Sequence, residues 1–211
     1  MASRVVCISR SIAAGGDEVG RMVARRLRYR YVGDEIVLKA ADKARVSPAE
    51  VSAAERTKPL IERIVDVITN WAPVDPTGAT VGRRIANPPP PRYETLIRQV
   101  ICEVADEGRV VILAHGASVA LAGRTGLLRV LVTASPETRV QRLMRTAQLS
   151  KRAAGKAIAK SDRARSDYLN RFYKVKEEQP IHYDLVVNTD VLDLEQAADL
   201  VVTAAGGSSP A

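Results

Sequence analysis

Residues 4–20 have the sequence RVVCISRSIAAGGDEVG, which is the strongest indication of the fold class in this chain. Arg4 to Ser9 is a short β-branched run, which is the form of a strand buried on both of its faces. Asp17 to Arg30 then places its apolar residues at helical spacing, with arginines off the apolar stripe. A strand, a short loop and a helix in this order open a phosphate-binding α/β domain. We therefore predict that the loop Ile12 to Gly20 holds a nucleotide phosphate.

The loop has the small residues that close approach of a phosphate requires. Backbone N–H groups and the positive end of a helix dipole bind the anion at such a turn. The residues that meet these needs are Ala13, Ala14, Gly15 and Gly16, followed by Asp17 and Glu18 in the first helical turn. The same turn can also be only a tight connection, in which Asp17 and Glu18 stabilise the helix N-terminus.

The loop lacks two side chains of a complete P-loop, G-x-x-x-x-G-K-[ST]. That motif supplies a lysine for the β- and γ-phosphates and a hydroxyl for magnesium. In this chain Gly16 stands where the lysine would follow Gly15, and Asp17 comes next. Asp17 therefore places negative charge close to the expected phosphate, and the sequence identifies no metal ligand.

Four further apolar runs, separated by helical patterns, complete the predicted sheet. They are Tyr29–Val32, Val110–Ala114, Arg129–Thr133 and Asp184–Asn188. Helices are predicted at 34–44 and 93–107 and after Ser135 and Asp193. Five strands alternating with helices favour a three-layer α/β/α, P-loop NTPase-like fold with a mostly parallel five-stranded sheet. Residues 71–92, with four consecutive prolines, are predicted to be a loop or hinge.

Length and composition fit one domain, residues 1–211. The chain is 46% apolar and only 4% aromatic, which suits a core of aliphatic side chains between helices and a parallel sheet. No stretch approaches the ~20 apolar residues that span a bilayer. The chain starts without a hydrophobic signal region, so we expect a cytoplasmic protein with no membrane partner. Cys7 and Cys102 lie in apolar segments and are predicted to be buried thiols.

The net charge of +8 is concentrated in one part of the chain. Between Arg139 and Lys176 there are twelve Lys or Arg residues against two Asp residues, a local balance of +10. A basic segment on a nearly neutral body favours a specific anionic partner. We define residues 145–176 as a lid-like basic segment. Nucleic acid is an unlikely partner, because basic residues alternate with aromatic ones only around Tyr168, Phe172 and Tyr173.

Several motifs along the chain resemble one family in the same order. They are CISRSIAAGGDEVGRMVARRL at 7–27, YVGDEI at 31–36, VVILAHGASVAL at 110–121, LRVLVTASPETRVQRLM at 128–144, SDRARSDYLNRFYKV at 161–175 and YDLVVNT at 183–189. Together they resemble the cytidylate kinase-like proteins, a divergent bacterial branch of the nucleoside monophosphate kinases. That resemblance implies transfer of the γ-phosphoryl group of ATP, with Mg²⁺, to a nucleotide substrate, possible acceptors including cytidylate.

The resemblance and the residue types assign the phosphate-binding arginines. Arg163 and Arg165 match the stretch that clamps the transferring phosphoryl group in these kinases, and guanidinium forks suit phosphate oxygens. Arg139 is similar to the family's arginine at the base of the lid, so the predicted catalytic residues are Arg163, Arg165 and Arg139. The alternative for Arg163 and Arg165 is a solvated helix face with i,i+4 pairs. Arg142 and Arg145 are expected on the surface.

Asp34 and His115 are the candidate acceptor-binding residues. Asp34 follows the second strand, where such kinases begin to contact the acceptor, although it can equally be an ordinary helix N-cap. His115 follows the strand that ends at Ala114, at the edge of the sheet where ligands gather. The family usually has Gly-Arg-Gly there, so either His115 provides a pH-dependent charge or it is a structural histidine.

Three hypotheses of function follow from these residues, and two of them are favoured. The first is a nucleoside monophosphate kinase-like phosphotransferase whose missing P-loop lysine is compensated by arginines elsewhere. The second is a nucleotide-binding regulatory module that kept the fold and lost turnover. A basic surface for nucleic acid ranks third.

Overall fold

The computed structural model describes residues 3–44, 48–49 and 91–206. Its strands are β1 Val5–Arg10, β2 Arg30–Val32, β3 Val110–Leu113, β4 Leu127–Thr133 and β5 Leu185–Asn188. Its helices are α1 Gly16–Leu27, α2 Glu35–Ala44, α3 Pro91–Glu107, α4 Ala117–Ala120, α5 Pro136–Ala147, α6 Lys151–Tyr173 and α7 Leu194–Ala204, with a 3₁₀ turn at Pro180–His182. All five predicted strands are confirmed. The predicted loop or hinge at 71–92 lies outside the described residues, except that its last two positions already belong to α3.

The five strands form one parallel sheet in the order β2-β3-β1-β4-β5. β1 lies in the centre, where Val5 pairs with Val110 of β3 on one side and with Leu127 of β4 on the other. All strand pairs that the structure describes are parallel. This arrangement confirms the predicted α/β fold.

Helices cover both faces of the sheet with aliphatic side chains. On one face, α1 and α7 pack over a cluster that includes Val6, Ile8, Val23 and Val201. On the other face, α2 and α3 pack over a cluster that includes Cys7 and Ile101. The alternation along β1, with Val6 and Ile8 on one face and Cys7 on the other, explains why its sequence is apolar from Val5 to Ile8.

The connections from β1 and β3 leave the sheet on opposite faces. The chain passes from β1 to β2 through α1 on the first face, whereas α4, which follows β3, packs on the second face. Adjacent parallel strands whose connections diverge leave a crevice outside their carboxyl ends, and ligands bind there in open α/β sheets. The loop after β1 and the turn after β3 border this crevice.

Helices α5 and α6 are joined to the loop after β1 by a third small core. Each helix begins with a serine N-cap, because Ser135 accepts from the amide of Thr138 and Ser150 accepts from that of Ala153. The buried members of this core are Ile12, Leu143, Ala154 and Ile158. Helix α6 contains most of the lid-like basic segment, so this core brings that segment to the loop.

Candidate phosphate-binding site

The loop after β1 turns tightly at residues 11–15. The amide of Ser11 donates to the Val132 carbonyl over 3.0 Å, and the amide of Ala14 donates to the Ser11 carbonyl over 3.2 Å. Ala13 has a φ of 58° and Gly15 a φ of 82°, both in the left-handed region. A left-handed alanine is uncommon, so the surrounding contacts must hold the loop in this conformation.

Three side chains hold successive carbonyls of the loop from one side. Arg139 Nε donates to the Ile12 carbonyl over 2.8 Å, and Arg142 Nη1 lies 3.4 Å from the Ala13 carbonyl. Thr189 Oγ1 donates to the Ala14 carbonyl over 2.9 Å. In a trans peptide the carbonyl and the next N–H point in opposite directions. Among the amides that follow these carbonyls, that of Ala14 donates to the Ser11 carbonyl, and those of Ala13 and Gly15 point away from the three side chains.

Arg139 lies beneath the loop, where it is only 5% exposed. Besides the Ile12 carbonyl, its Nη1 and Nη2 groups donate to the Asp162 carboxylate over 3.0 and 2.6 Å. All three nitrogen positions of the guanidinium thus have a protein partner. The sequence holds a signal for this burial, because Arg139 precedes the buried Leu143 by four residues and so shares its helix face.

The prediction that Arg142 lies on the surface is wrong. Its Nη1 donates to Thr189 Oγ1 over 2.8 Å, and its Nη2 donates to the Thr189 carbonyl over 2.5 Å. Thr189, which follows β5 and is 1% exposed, was not predicted as part of the site. Arg145 is exposed, as expected. The segment after β5 is therefore tied to the loop after β1 through Arg142 and Thr189.

Two glycines leave no room for a side chain where the loop meets α1. A Cβ at Gly16 would lie 2.5 Å from the Cβ of Arg10, the last residue of β1. A Cβ at Gly15 would collide with a methyl group of Leu194, and its positive φ also disfavours any side chain. Helix α1 thus packs so closely against β1 that a side chain at position 16 would collide with the Cβ of Arg10.

The negative charge of Asp17 has a partner within the same strand–loop–helix unit. Arg10 Nε donates to Asp17 Oδ2 in an ion pair. The expectation that Asp17 opposes a bound phosphate is therefore modified, because Arg10 neutralises this carboxylate. Tyr31 of β2 lies beside the pair, and burial together with the charge of Asp17 raises the pKa of Tyr31 to about 12. The Arg21 guanidinium stands 5.2 Å from the Tyr31 ring centre.

The turn after β3 has an unusual backbone. Ala114, His115 and Gly116 have consecutive positive φ angles of 67°, 54° and 65°. The His115 carbonyl accepts from Tyr168 Oη over 3.0 Å and from Tyr173 Oη over 2.8 Å, and the residue is 5% exposed. Two tyrosines from α6 thus hold the strained turn next to the loop, and strain of this kind clusters at functional sites.

The predicted phosphate-binding arginines of α6 have different surroundings. Arg165 forms two hydrogen bonds to the Glu178 carboxylate, over 2.7 and 2.5 Å. Burial alone would raise the pKa of Glu178, but the hydrogen bond and charge of Arg165 outweigh it and lower that pKa. Burial, followed by the charge of Glu178, raises the pKa of Tyr183 to about 12. Arg163 is exposed, and neither arginine hydrogen-bonds to the loop within the described residues.

Asp34 is exposed at the residue before α2, where its carbonyl accepts from the amides of Val37 and Leu38. It stands close enough to Tyr31 for its charge to contribute to the raised pKa of that tyrosine. Asp34, Arg10 and Asp17 are thus all close enough to Tyr31 for their charges to act on it. His115 lies at the end of neighbouring β3 instead.

The cysteines, a metal site and a membrane span were also considered in the sequence. Cys7 is fully buried and its pKa is raised by burial, whereas Cys102 is only half-buried, so the prediction of two buried thiols is wrong for Cys102. The described residues hold no cluster of three His, Cys, Asp or Glu side chains that could bind a metal ion. None of the helices in the described ranges is long and apolar enough to cross a membrane.

Comparisons with known proteins agree with the motifs. The pattern of the cytidylate kinase-like family matches residues 5–191. The structure resembles an uncharacterized protein from Eubacterium ventriosum, with a TM-score of 0.65, 15% identity and 97% and 99% of the two chains covered. It also resembles a shikimate kinase from Bacteroides thetaiotaomicron, with a TM-score of 0.52, 16% identity and 96% and 98% covered.

One curated relative matches part of the chain. A uronate isomerase of Corynebacterium glutamicum is 33% identical over 105 residues, which is 50% of this chain. The match covers only 20% of that relative's length. The two solved structures are too distant in sequence to indicate more than the fold, which is that of a P-loop kinase.

Proposed function

The chain belongs to the cytidylate kinase-like family, and we propose that it is a nucleoside monophosphate kinase-like phosphotransferase. It moves the γ-phosphoryl group of ATP to a nucleotide or a similar acceptor, with cytidylate among the acceptors. The observation that carries this proposal is the loop after β1, whose carbonyls are held on one side by Arg139, Arg142 and Thr189. The amides of Ala13 and Gly15 are thereby left to face an anion at the N-terminus of α1, whereas that of Ala14 donates to the Ser11 carbonyl.

The loop fits the phosphates of ATP. Ala13 and Gly15 are partly exposed, whereas Ala14 and Gly16 are buried. Helix α1 begins at Gly16, so the amides of its first turn have no helical acceptor. Asp17 and Glu18 occupy that turn, and the ion pair to Arg10 reduces the repulsion that Asp17 alone would cause. Preorganised amide donors stabilise phosphoryl charge without reorganising during the reaction.

Arginines supply the positive charge that the missing lysine would provide. In this proposal the exposed Arg163 reaches the transferring phosphoryl group, and Arg165, held by Glu178, orients the same part of α6. Arg139 fixes the loop from below. Asp34 and His115 bind the acceptor from the ends of β2 and β3. Positioning and charge neutralisation of this kind account for most of the catalysis in phosphoryl transfer.

ATP is expected to bring Mg²⁺, which would neutralise phosphate charge. The donor set gives little support for a protein-held ion. Asp17 is paired with Arg10 and Asp162 with Arg139 in the described structure, and the hydroxyl that follows the P-loop lysine is replaced by Asp17. We assign no protein ligand to the metal.

The second candidate is a regulatory module that binds a nucleotide without turnover. It is favoured by the absence of the P-loop lysine at Gly16 and of an arginine in Ala114-His115-Gly116. Each missing charged donor of this kind typically costs ~10² to 10³ in rate. The lid arginines must therefore compensate if the chain is an enzyme.

A panel assay separates the two candidates. ATP is incubated with each nucleoside monophosphate, and formation of ADP and of the diphosphate product is measured. Acceptor-dependent ADP formation supports the phosphotransferase, whereas ATP binding by calorimetry without transfer to any acceptor supports the regulatory module. Salt-sensitive RNA binding without nucleotide affinity contradicts both.

The Arg163→Ala variant tests the role of α6. Arg152 lies on the same helix and is also exposed, so Arg152→Ala is the matched control. We expect Arg163→Ala to lose ~10²-fold or more in transfer rate, and Arg152→Ala to keep wild-type activity. Full activity of Arg163→Ala contradicts its assignment.

A further inference from the structure

Arg10 occupies the space in which a side chain at position 16 would begin. It ends β1 on the face that packs against α1, since Val6 and Ile8 alternate with it on that face. A Cβ built at Gly16 would lie 2.5 Å from the Cβ of Arg10, 3.1 Å from its Cδ and 3.4 Å from its Cγ. The aliphatic stem of Arg10 therefore covers the Cα of Gly16.

Position 16 is where a complete P-loop carries its lysine. Real Cβ atoms essentially never approach another carbon atom to 2.5 Å, and the obstacle here is the Cβ of Arg10, which cannot rotate away. Any residue other than glycine at position 10, arginine included, thus excludes a lysine at position 16 in this packing. With glycine at 16, the nearby cation is that of Arg10, which belongs to the strand instead of the helix.

The guanidinium of Arg10 is held close to the phosphate loop. Its Nε donates to Asp17 Oδ2 in the first turn of α1, where the helix dipole attracts anions. Its two Nη groups make no hydrogen bond to any residue in the described part of the chain. The side chain is 19% exposed, so a ligand can reach it. Two parallel N–H groups on one guanidinium match two oxygens of a phosphate.

Asp17 has a positioning role in this arrangement. Its carboxylate fixes one edge of the guanidinium and leaves the other edge free. The carboxylate also offsets part of the positive charge of Arg10. The contribution of Arg10 to phosphate binding therefore depends more on the orientation of its two Nη groups than on its net charge.

We propose that Arg10 is a phosphate-contacting residue that takes the place of the P-loop lysine, with Asp17 as its positioning residue. This inference rests on the proposed binding of ATP at the loop after β1.

The test measures ATP and adenosine binding by calorimetry, without any acceptor and therefore without turnover. Arg10→Gln keeps much of the stem and removes the charge. Arg10→Gly with Gly16→Lys moves the cation to the usual P-loop position and removes the colliding Cβ. Arg26→Ala is the control, because Arg26 lies at the other end of α1 and pairs with Glu195 and Asp199. Thermal unfolding establishes that each variant is folded.

We expect Arg10→Gln to bind ATP about 10- to 100-fold more weakly, as for loss of a hydrogen bond to a charged group. Its affinity for adenosine should stay unchanged, because adenosine has no phosphate. The double variant should bind ATP at least 10-fold more tightly than Arg10→Gly alone. Arg26→Ala should match the wild type.

Each contrary result has a distinct meaning. Wild-type ATP affinity in Arg10→Gln overturns the inference about Arg10 and leaves the proposed function intact. A folded double variant that binds ATP no better than Arg10→Gly overturns the equivalence of positions 10 and 16. A wild-type chain that does not bind ATP overturns the proposed function and this inference together.

Discussion

The Nε–H group of Arg139 donates to the backbone carbonyl of Ile12 over 2.8 Å. This bond joins α5 to the loop after β1 across a separation of 127 residues. The same guanidinium pairs with Asp162 of α6, so one buried side chain connects the loop with both helices that follow β4. The conformation of the loop therefore depends on residues that are remote in sequence.

Removal of the Arg139 side chain should destabilise the protein. In Arg139→Ala the Ile12 carbonyl loses its donor inside the third core, and Asp162 loses its partner. We expect the free energy of unfolding to fall by about 2 to 4 kcal/mol, measured by urea denaturation. Arg145→Ala, an exposed change on the same helix, should stay within about 0.5 kcal/mol of the wild type. Equal stability of the two variants would contradict the role of Arg139.

Arg142 and Thr189 should be energetically coupled. Arg142 bonds to both the hydroxyl and the carbonyl of Thr189, and that hydroxyl also donates to the Ala14 carbonyl. In a double-mutant cycle with Arg142→Ala and Thr189→Val, we expect an interaction energy of about 1 kcal/mol or more in urea unfolding. A parallel cycle with Arg145→Ala in place of Arg142→Ala should give none. Additive losses in the first cycle would show that the bond between the Arg142 guanidinium and the Thr189 hydroxyl contributes no interaction energy.

The sheet could be predicted because its strands are apolar on both faces. Val110 to Leu113 and Val5 to Ile8 have no polar residue, and such runs flanked by helical patterns indicate buried parallel strands. The predicted boundary of β4 is two residues late, because the strand begins at Leu127 instead of Arg129 and its residues alternate between buried and partly exposed. The small residues of the loop after β1 could also be recognised in the sequence, since close approach of an anion to the backbone requires them whatever the tertiary structure.

The partners of the loop could not be predicted, because they depend on how distant segments meet. Nothing in the sequence distinguishes Arg142, which contacts Thr189, from the exposed Arg145 one turn later. From the sequence alone, the charge of Asp17 is expected to repel a phosphate. In the structure Gly16 packs closely against β1, and Arg10 of that strand pairs with Asp17. Of the side chains that contact the loop, only Arg139 could have been predicted to be buried, from the periodicity of its helix. The site assignments of Arg139, Arg163, Arg165, Asp34 and His115 remain predictions, as do the cytoplasmic location and the single-domain organisation.

Gly116 should be more sensitive to substitution than Gly123, although both have positive φ. Their φ angles are 65° and 82°, and a Cβ at Gly123 would meet nothing within 4 Å. A Cβ at Gly116 would collide with the ring of Tyr173, whose hydroxyl bonds to the His115 carbonyl. We expect Gly123→Ala to cost about 1 kcal/mol from backbone strain. Gly116→Ala should cost at least about 1 kcal/mol more, measured by urea unfolding, and an equal cost would show that Tyr173 moves aside freely.

Glu178 should make the protein less stable in acid. Burial opposes its charge, but the hydrogen bond and charge of Arg165 prevail, so the pKa of Glu178 in the folded protein lies below the ordinary value of 4.5. A carboxylate with a lowered pKa stabilises the folded state above the unfolded pKa and loses this contribution as the pH falls through the folded pKa. The wild type should therefore lose stability below about pH 4.5, with part of that loss due to this group.

Glu178→Gln isolates that part of the pH dependence, because glutamine keeps the shape of the side chain and cannot titrate. Urea unfolding between pH 6 and pH 3 should show a smaller acid-induced loss in Glu178→Gln than in the wild type. The exposed neighbour provides the control, and Glu177→Gln should follow the wild-type curve. The two variants would behave alike only if Arg165 does not hold Glu178 ionised in the folded protein. The position of Arg165 on α6 would then have to depend on its packing, since its ion pair would contribute nothing.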